Sequence, residues 1–282
     1  MKLGIVDVGG GLRDIYSAGV LDRIMDEGVK ADLCIGVSAG SANLATYLAA
    51  QRGRLLTFYT EYTFRKEYMS MGNFARLGSY INLDYPYSTL SNEDGEFPLD
   101  YDAIAANPAE FIVVASDADS GIPKYFTKAD ISRNNYDIMK ASSAIPFICK
   151  PYPIGGRCYF DGALADPVPV IKALELGCDK VIVLLSKPKD RPRQVGKDEL
   201  FASLISKRYP LAAKNLILRA PRYNASVEKA KELEKAGKVL ILAPDDTCGV
   251  DTLTRDKAAL LSLYYKGFRD GEQIIDFAKY KT

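Results

Sequence analysis

Short apolar runs punctuate the chain at regular intervals: Leu3 to Val8, Leu33 to Val37, Glu110 to Ser116, Lys180 to Leu185 and Lys238 to Leu242. Runs of this length bounded by turn residues read as buried strands. Between them, apolar residues recur at helical spacing over Asp14 to Glu27, Ser41 to Ala50, Tyr136 to Ser143 and Val168 to Leu176. The alternation predicts an α/β fold with a mostly parallel sheet covered on both faces. Two shorter strands are expected at Ile122 to Thr127, after the turn Asp117–Gly121, and at Arg157 to Phe160. Leu200 to Lys235 reads as helices interrupted at Pro210 and Pro221, and Leu253 to Tyr280 as one or two amphipathic helices. One stretch breaks the pattern. Arg54 to Leu90 is crowded with Phe and Tyr, includes Met69 and Met71, and has no clear period.

At 282 residues and 48% hydrophobic, the chain is long enough for one large α/β domain. The expected organisation is a single domain over 1–282, with an aromatic-rich insertion at about 54–100 and a helical C-terminal part at about 198–282. Lys plus Arg number 37 and Asp plus Glu 36, a formal charge of +1 that offers nucleic acid no bulk attraction. The five cysteines form no Cys-x-x-Cys pair and lie mostly in apolar runs, which points to reduced thiols and a cytoplasmic setting. The N-terminus enters a strand directly with no secretory h-region, and no apolar run approaches the roughly 20 residues needed to cross a bilayer. The basic loop Lys187 to Arg193 reads as solvated, with contact to an anionic membrane surface as the alternative.

Histidine changes the picture most, because there is none. Ser-His-Asp and Cys-His chemistry and histidine-built zinc sites are excluded, so any base must be a carboxylate, lysine or tyrosine. No metal and no cofactor is expected. Gly36-Val-Ser38-Ala-Gly40 sits between a predicted strand and a predicted helix, the context of a nucleophile elbow; glycines allow strand and helix to approach while the turn exposes the serine hydroxyl. A tight turn with a satisfied hydroxyl is the alternative. Asp161-Gly162 ends another short strand, and partial burial beside Phe160 and Ala163 would make Asp161 a better base than an exposed aspartate. Gly9-Gly10-Gly11 ends the first strand and reads as an oxyanion hole, the N–H groups of Gly10, Gly11 and Ala39 converging on one point. A dinucleotide turn fits less well, since Asp14 at the helix start would repel a pyrophosphate; Asp14 suits an N-cap. The aromatic stretch reads either as the lid or wall of an acyl groove or as an ordinary packed subdomain.

Together these blocks resemble the bacterial patatin-like phospholipases. Gly9-Gly-Gly-Leu-Arg13 matches the family's glycine-rich block, Gly36-Val-Ser-Ala-Gly40 its elbow and Asp161-Gly-Ala163 its aspartate block; Ser116–Gly121 and Ala141–Pro146 also look familial. The resemblance implies a three-layer α/β/α sandwich and a Ser38–Asp161 dyad. It also implies an oxyanion hole of Gly9, Gly10, Gly11, Arg13 and Ala39, supported by Gly36, Gly40 and Gly162. The expected activity is hydrolysis of lipid acyl esters, of phospholipid or lysophospholipid type and with medium or long chains, at the inner face of the membrane. The chain departs from the family at Asp14, where glycine is usual, and the alternative is a lipid- or acyl-binding protein with weakened catalysis. Beyond about residue 170 the resemblance carries little.

Overall fold

A computed structural model of the chain describes residues 1–279; Tyr280, the predicted end of the last helix, lies outside them. Among the described residues eight strands form one sheet: β1 (Leu3–Asp7), β2 (Leu33–Val37), β3 (Glu110–Asp117), β4 (Pro123–Thr127), β5 (Tyr152–Ile154), β6 (Arg157–Asp161), β7 (Lys180–Leu184) and β8 (Val239–Leu242). The helices are α1 (Ile15–Asp26), α2 (Ala39–Leu48), α3 (Arg54–Thr60), α4 (Met71–Leu77), α5 (Tyr101–Ala106), α6 (Asp137–Ser142), α7 (Val170–Glu175), α8 (Asp198–Ile205), α9 (Pro210–Lys235), α10 (Lys257–Asp270) and α11 (Gln273–Lys279).

The sheet has a parallel core in the order β3, β2, β1, β7, β8. Its flank is antiparallel: β4 and β6 pair with β3, and β5 with β6. The Asp117–Gly121 and Gly155–Gly156 turns are too short for the crossover that parallel pairing requires. The short strand β5 has Pro151 just before it and Pro153 at its centre, and gave no strand signal in the sequence.

Side chains alternate across the sheet. Leu3, Ile5, Phe111, Val113, Ile182 and Leu184 pack with α1, α2 and α10. Val6, Leu33, Ile35, Val114, Val181 and Val183 pack with α7 and α9 on the opposite face. The result is the three-layer α/β/α sandwich expected.

Two features of this topology position the site. Chain connections leave β1 toward β2 on one side, while β7 lies on the other, so the carboxyl ends of β1, β2 and β7 open onto one crevice. The second is the edge of β3: β2 pairs with Glu110–Val114, and β6 takes over at Ala115. Because β4 occupies the other edge from Ile112 to Ser116, β6 continues the line that β2 leaves, running toward it. The two carboxyl ends meet.

The helix α9 corrects one expectation. Pro210 begins it, where a missing N–H costs nothing, but Pro221 lies inside it without ending it. Only the carbonyl four residues back loses a partner, and Ile217 is exposed there, so solvent can take its place.

Candidate active site

Ser38 links β2 to α2 with φ 56° and ψ −131°, a conformation that a non-glycine residue adopts only when its surroundings enforce it. The enforcement is steric and polar. A Cβ on Gly36 would stand 2.4 Å from Ser41 Cα, and one on Gly40 2.4 Å from the Asp7 carbonyl oxygen. The Ser38 N–H donates to Ser142 Oγ at 2.8 Å, and the Ser142 hydroxyl donates to the Val114 carbonyl at 2.6 Å. That carbonyl lies where β2 gives way to β6, so Ser142 ties the elbow to the seam between the two strands.

Asp161 is the last residue of β6 and is buried. Its N–H donates to the Ala144 carbonyl at 2.9 Å, and its Oδ1 accepts the Ala163 N–H at 2.9 Å. Burial raises its pKa above the ordinary carboxylate value; the nearby Ser38 hydroxyl, then the Ala163 N–H, pull it part of the way back. Gly162 must be small, because a Cβ there would press on the Val114 carbonyl at 2.2 Å.

The glycine turn after β1 is wedged between β2 and β7. The Ser186 hydroxyl donates to the Gly9 carbonyl at 2.6 Å, and Gly10, at φ 150°, would put a Cβ 2.0 Å from Ser186 Oγ. Gly11 opens a 3-10 turn (Gly11–Asp14) and Ala39 opens α2, so their N–H groups have no acceptor within their own helices. Gly9 differs from the expectation. Its N–H donates to Asp7 Oδ1 at 3.1 Å and is not free to bind an oxyanion.

Asp14 is corrected too. Its carboxyl makes no cap, because the 3-10 turn already leads into α1. It turns inward instead, accepting the Ser17 hydroxyl and the Asn43 Nδ2–H, both at 2.9 Å, beside Asp7. Tyr59 in turn donates to Asn43 Oδ1 at 3.2 Å. Burial, and then the Asp7 charge, push Asp14 well above the carboxylate range.

Ser38, Asp161 and the glycine turn line a cavity of about 210 Å³. Arg13 lies on its wall, its guanidinium donating to Asp251 and Thr252. The rest of that wall was not legible in the sequence: Lys187, Arg193, Arg219 and Tyr223 also face the cavity. Lys187 and Arg193 are half-buried, contrary to the reading of that loop as solvated. Leu216, Arg219 and Tyr223 share one face of α9 at spacings of three and four, a signal that only the cavity makes meaningful. On the other side of Ser38 lies a smaller pocket of about 40 Å³, walled by Tyr68, Met69, Ile81, Leu83 and Tyr87 from the aromatic insertion. Among the described residues no group of three or more Cys, Asp and Glu side chains could hold a metal ion, and no helix is long and apolar enough to cross a membrane.

The chain resembles known proteins both in sequence and in fold. The sequence profile of the patatin-like phospholipases matches residues 8–174, and that of a domain of unknown function (DUF6363) matches residues 209–279. The uncharacterized protein YjjU of Escherichia coli (strain K12) is 32% identical over 192 residues, covering 66% of this chain and 52% of YjjU, so the chain spans about half the length of that relative. The crystal structure of VipD from Legionella pneumophila superposes with a TM-score of 0.51 at 13% identity, covering 98% of this chain and 67% of VipD, a likeness of fold alone.

Proposed function

The chain belongs to the patatin-like phospholipase family, whose activity is lipid acyl hydrolysis, and we propose that it cleaves carboxylic esters of lipids through Ser38 with Asp161 as base. The observation that carries this reading is that a serine held at a strained elbow and a buried aspartate of raised pKa line one cavity. Ser38 Oγ attacks the acyl carbon and its proton passes to Asp161. The carbonyl oxygen gains the negative charge and is held by the N–H groups of Gly10, Gly11 and Ala39. Collapse breaks the ester bond, and Asp161 returns the proton to the leaving alcohol. Water then attacks the acyl-Ser38 ester, Asp161 taking its proton, and the acid leaves as Ser38 is restored. Burial suits Asp161 to this cycle, since a carboxylate with raised proton affinity accepts a hydroxyl proton more readily.

We place the start of the acyl arm at the small pocket walled by the aromatic insertion and the alcohol in the larger cavity, where Arg13, Lys187, Arg193 and Arg219 stand. We read the chain as one domain in which the insertion supplies the acyl wall and the helical C-terminal part the far wall. Exposed apolar side chains at Met71 and Phe74 of α4, and at Leu200 and Leu204 of α8, support contact with a lipid surface. A lipid- or acyl-binding protein with weakened catalysis is the alternative that Asp14 and the aromatic insertion offer, but the Asp14 carboxyl is buried against Asn43 beside Asp7 and does not line the cavity.

The test combines a fluorophosphonate probe with turnover of a p-nitrophenyl ester. Labelling at Ser38 and loss of turnover in Ser38→Ala are expected. An unlabelled protein, or a variant keeping most of its turnover, would overturn the proposal.

A further inference from the structure

The larger cavity carries more positive charge than its own carboxylates balance. Arg13, Lys187, Arg193 and Arg219 line it. Two carboxylates outside the proposed dyad serve them: Asp251 pairs with Arg13, and Asp198 is shared by Arg193 at 3.5 Å and Arg219. No acceptor for the Lys187 ammonium is found among the described residues. The Nε–H groups of Arg13 and Arg193 are buried without a partner. Tyr223, half-buried on the same wall, adds a hydroxyl.

Such a cluster is costly in a protein with nothing to bind. Burial, then the neighbouring Arg13 and Arg193, push the Lys187 ammonium down to about 8, and burial lowers Arg13 and Arg193 as well. Asp198 fixes the Arg219 guanidinium with two bonds, from Nε at 3.2 Å and from a terminal nitrogen, so that it stands preorganised on the cavity wall. Unpaired donors and an uncompensated charge in one concavity beside Ser38 suit an anionic ligand.

We propose that Lys187, Arg193 and Arg219, with Arg13 at the rim of the glycine turn, form a subsite for a terminal phosphate monoester on the alcohol side of the ester. The proposal rests on the reading of Ser38 as nucleophile, because the subsite faces that serine. A terminal phosphate brings up to two negative charges and several acceptor oxygens, which matches the planar forks of two arginines plus one ammonium. A zwitterionic head group matches less well: its cation would enter a cavity whose free charges are positive. Lys187, Arg193, Arg219 and Tyr223 all lie beyond residue 174, outside the stretch matched by the patatin-like profile. Arg219 and Tyr223 lie in the stretch matched by the domain of unknown function.

The experiment compares three esters of one acyl chain on the full-length protein: 1-acylglycerol 3-phosphate, 1-acylglycerol and 1-acylglycerophosphocholine. The phosphate monoester is expected to have the highest kcat/KM, about tenfold or more above the neutral ester. Lys187→Gln, which breaks no ion pair, and Arg219→Gln should each lower that ratio about tenfold. A separate arm needs no turnover: inorganic phosphate should raise the melting temperature and inhibit hydrolysis of the neutral ester, less so in Lys187→Gln. Protection by inorganic phosphate without preference for the phosphate monoester would mean a site for free phosphate and overturn the head-group assignment. Equal turnover of all three esters with no phosphate protection, or preference for the choline ester, would overturn the subsite itself while leaving Ser38 as nucleophile. Inertness of all three esters together with phosphate protection would remove the Ser38 reading and, with it, the assignment to an ester's alcohol side.

Discussion

Val37 pairs with Val114 and Asp161 with Ala115, so the residues that precede Ser38 and end β6 occupy successive positions along one edge of β3. Two strands running toward each other deliver a hydroxyl and a carboxyl to the same point from segments more than a hundred residues apart. Neither side chain needs a long or flexible reach, and both are held by strand backbone.

The first prediction concerns pH. If Asp161 is the base, only its ionised form is competent, and its pKa is raised by burial. The acidic limb of kcat/KM should therefore lie above the ordinary carboxylate value, activity falling as pH drops through it. Asp161→Asn should cost about 10²-fold to 10⁴-fold in turnover while preserving the circular dichroism spectrum. Survival of the limb in that variant would assign the base elsewhere.

Ser142 is predicted to act through Ser38. Its hydroxyl accepts the Ser38 N–H and donates to Val114. Ser142→Ala leaves both buried groups unpaired, a cost of about 1–3 kcal/mol each. A loss of roughly tenfold in kcat with KM little changed is expected, and Ser142→Thr should recover part of it because the hydroxyl is kept. A merely structural role would lower melting temperature with the kcat of the remaining folded protein intact.

Chain length should follow the small pocket. Met69 is buried on its wall, and about 40 Å³ admits roughly three water-sized groups. Met69→Ala should raise the ratio of kcat/KM for an octanoyl over a butyryl ester several-fold, at a cost in stability of about 2–5 kcal/mol. An unchanged ratio would place the acyl chain outside this pocket.

The fourth prediction separates stability from catalysis. Burial pushes Asp7 up to about 6 and raises Asp14 well above the carboxylate range, its rise reinforced by the Asp7 charge. Both folded values exceed the unfolded ones, so the stabilisation they give is present at acid pH and is lost as pH rises through about 6 and above. Asp14→Asn removes one of the two neighbouring charges and keeps a polar group of the same shape. The variant should gain melting temperature relative to the parent between about pH 6 and pH 8, each pKa unit abolished being worth about 1.4 kcal/mol. Parallel melting curves across that range would mean that the two carboxyls do not repel one another in the folded protein.

The parts of the candidate site that could be read from sequence are those that local geometry imposes. A strand that must turn at once into a helix needs Gly36 and Gly40, and the steric contacts of both are with residues near in space for that reason. Gly10 and Gly162 are legible on the same ground, as are the strand runs β1, β2, β3, β7 and β8, whose burial on both faces writes a continuous apolar pattern. The absence of histidine directed attention to Asp161 as soon as Ser38 was considered.

Tertiary structure decided what depends on partners far along the chain. Whether Asp14 capped a helix or faced the glycine turn was settled by Asn43 and Asp7, and whether Gly9 kept a free N–H by the Asp7 carboxyl. Pro221 reads in the sequence as an interruption, and the helix continues through it because the exposure of Ile217 lets solvent take the lost partner's place. The basic residues Lys187 and Arg193 read as a solvated loop because charge carries no period; only the approach of α9, bringing Arg219 and Tyr223, made them the wall of a cavity. Close backbone approach leaves its mark in the residues that make it, whereas the meeting of side chains across long loops is fixed by sheet order and leaves none.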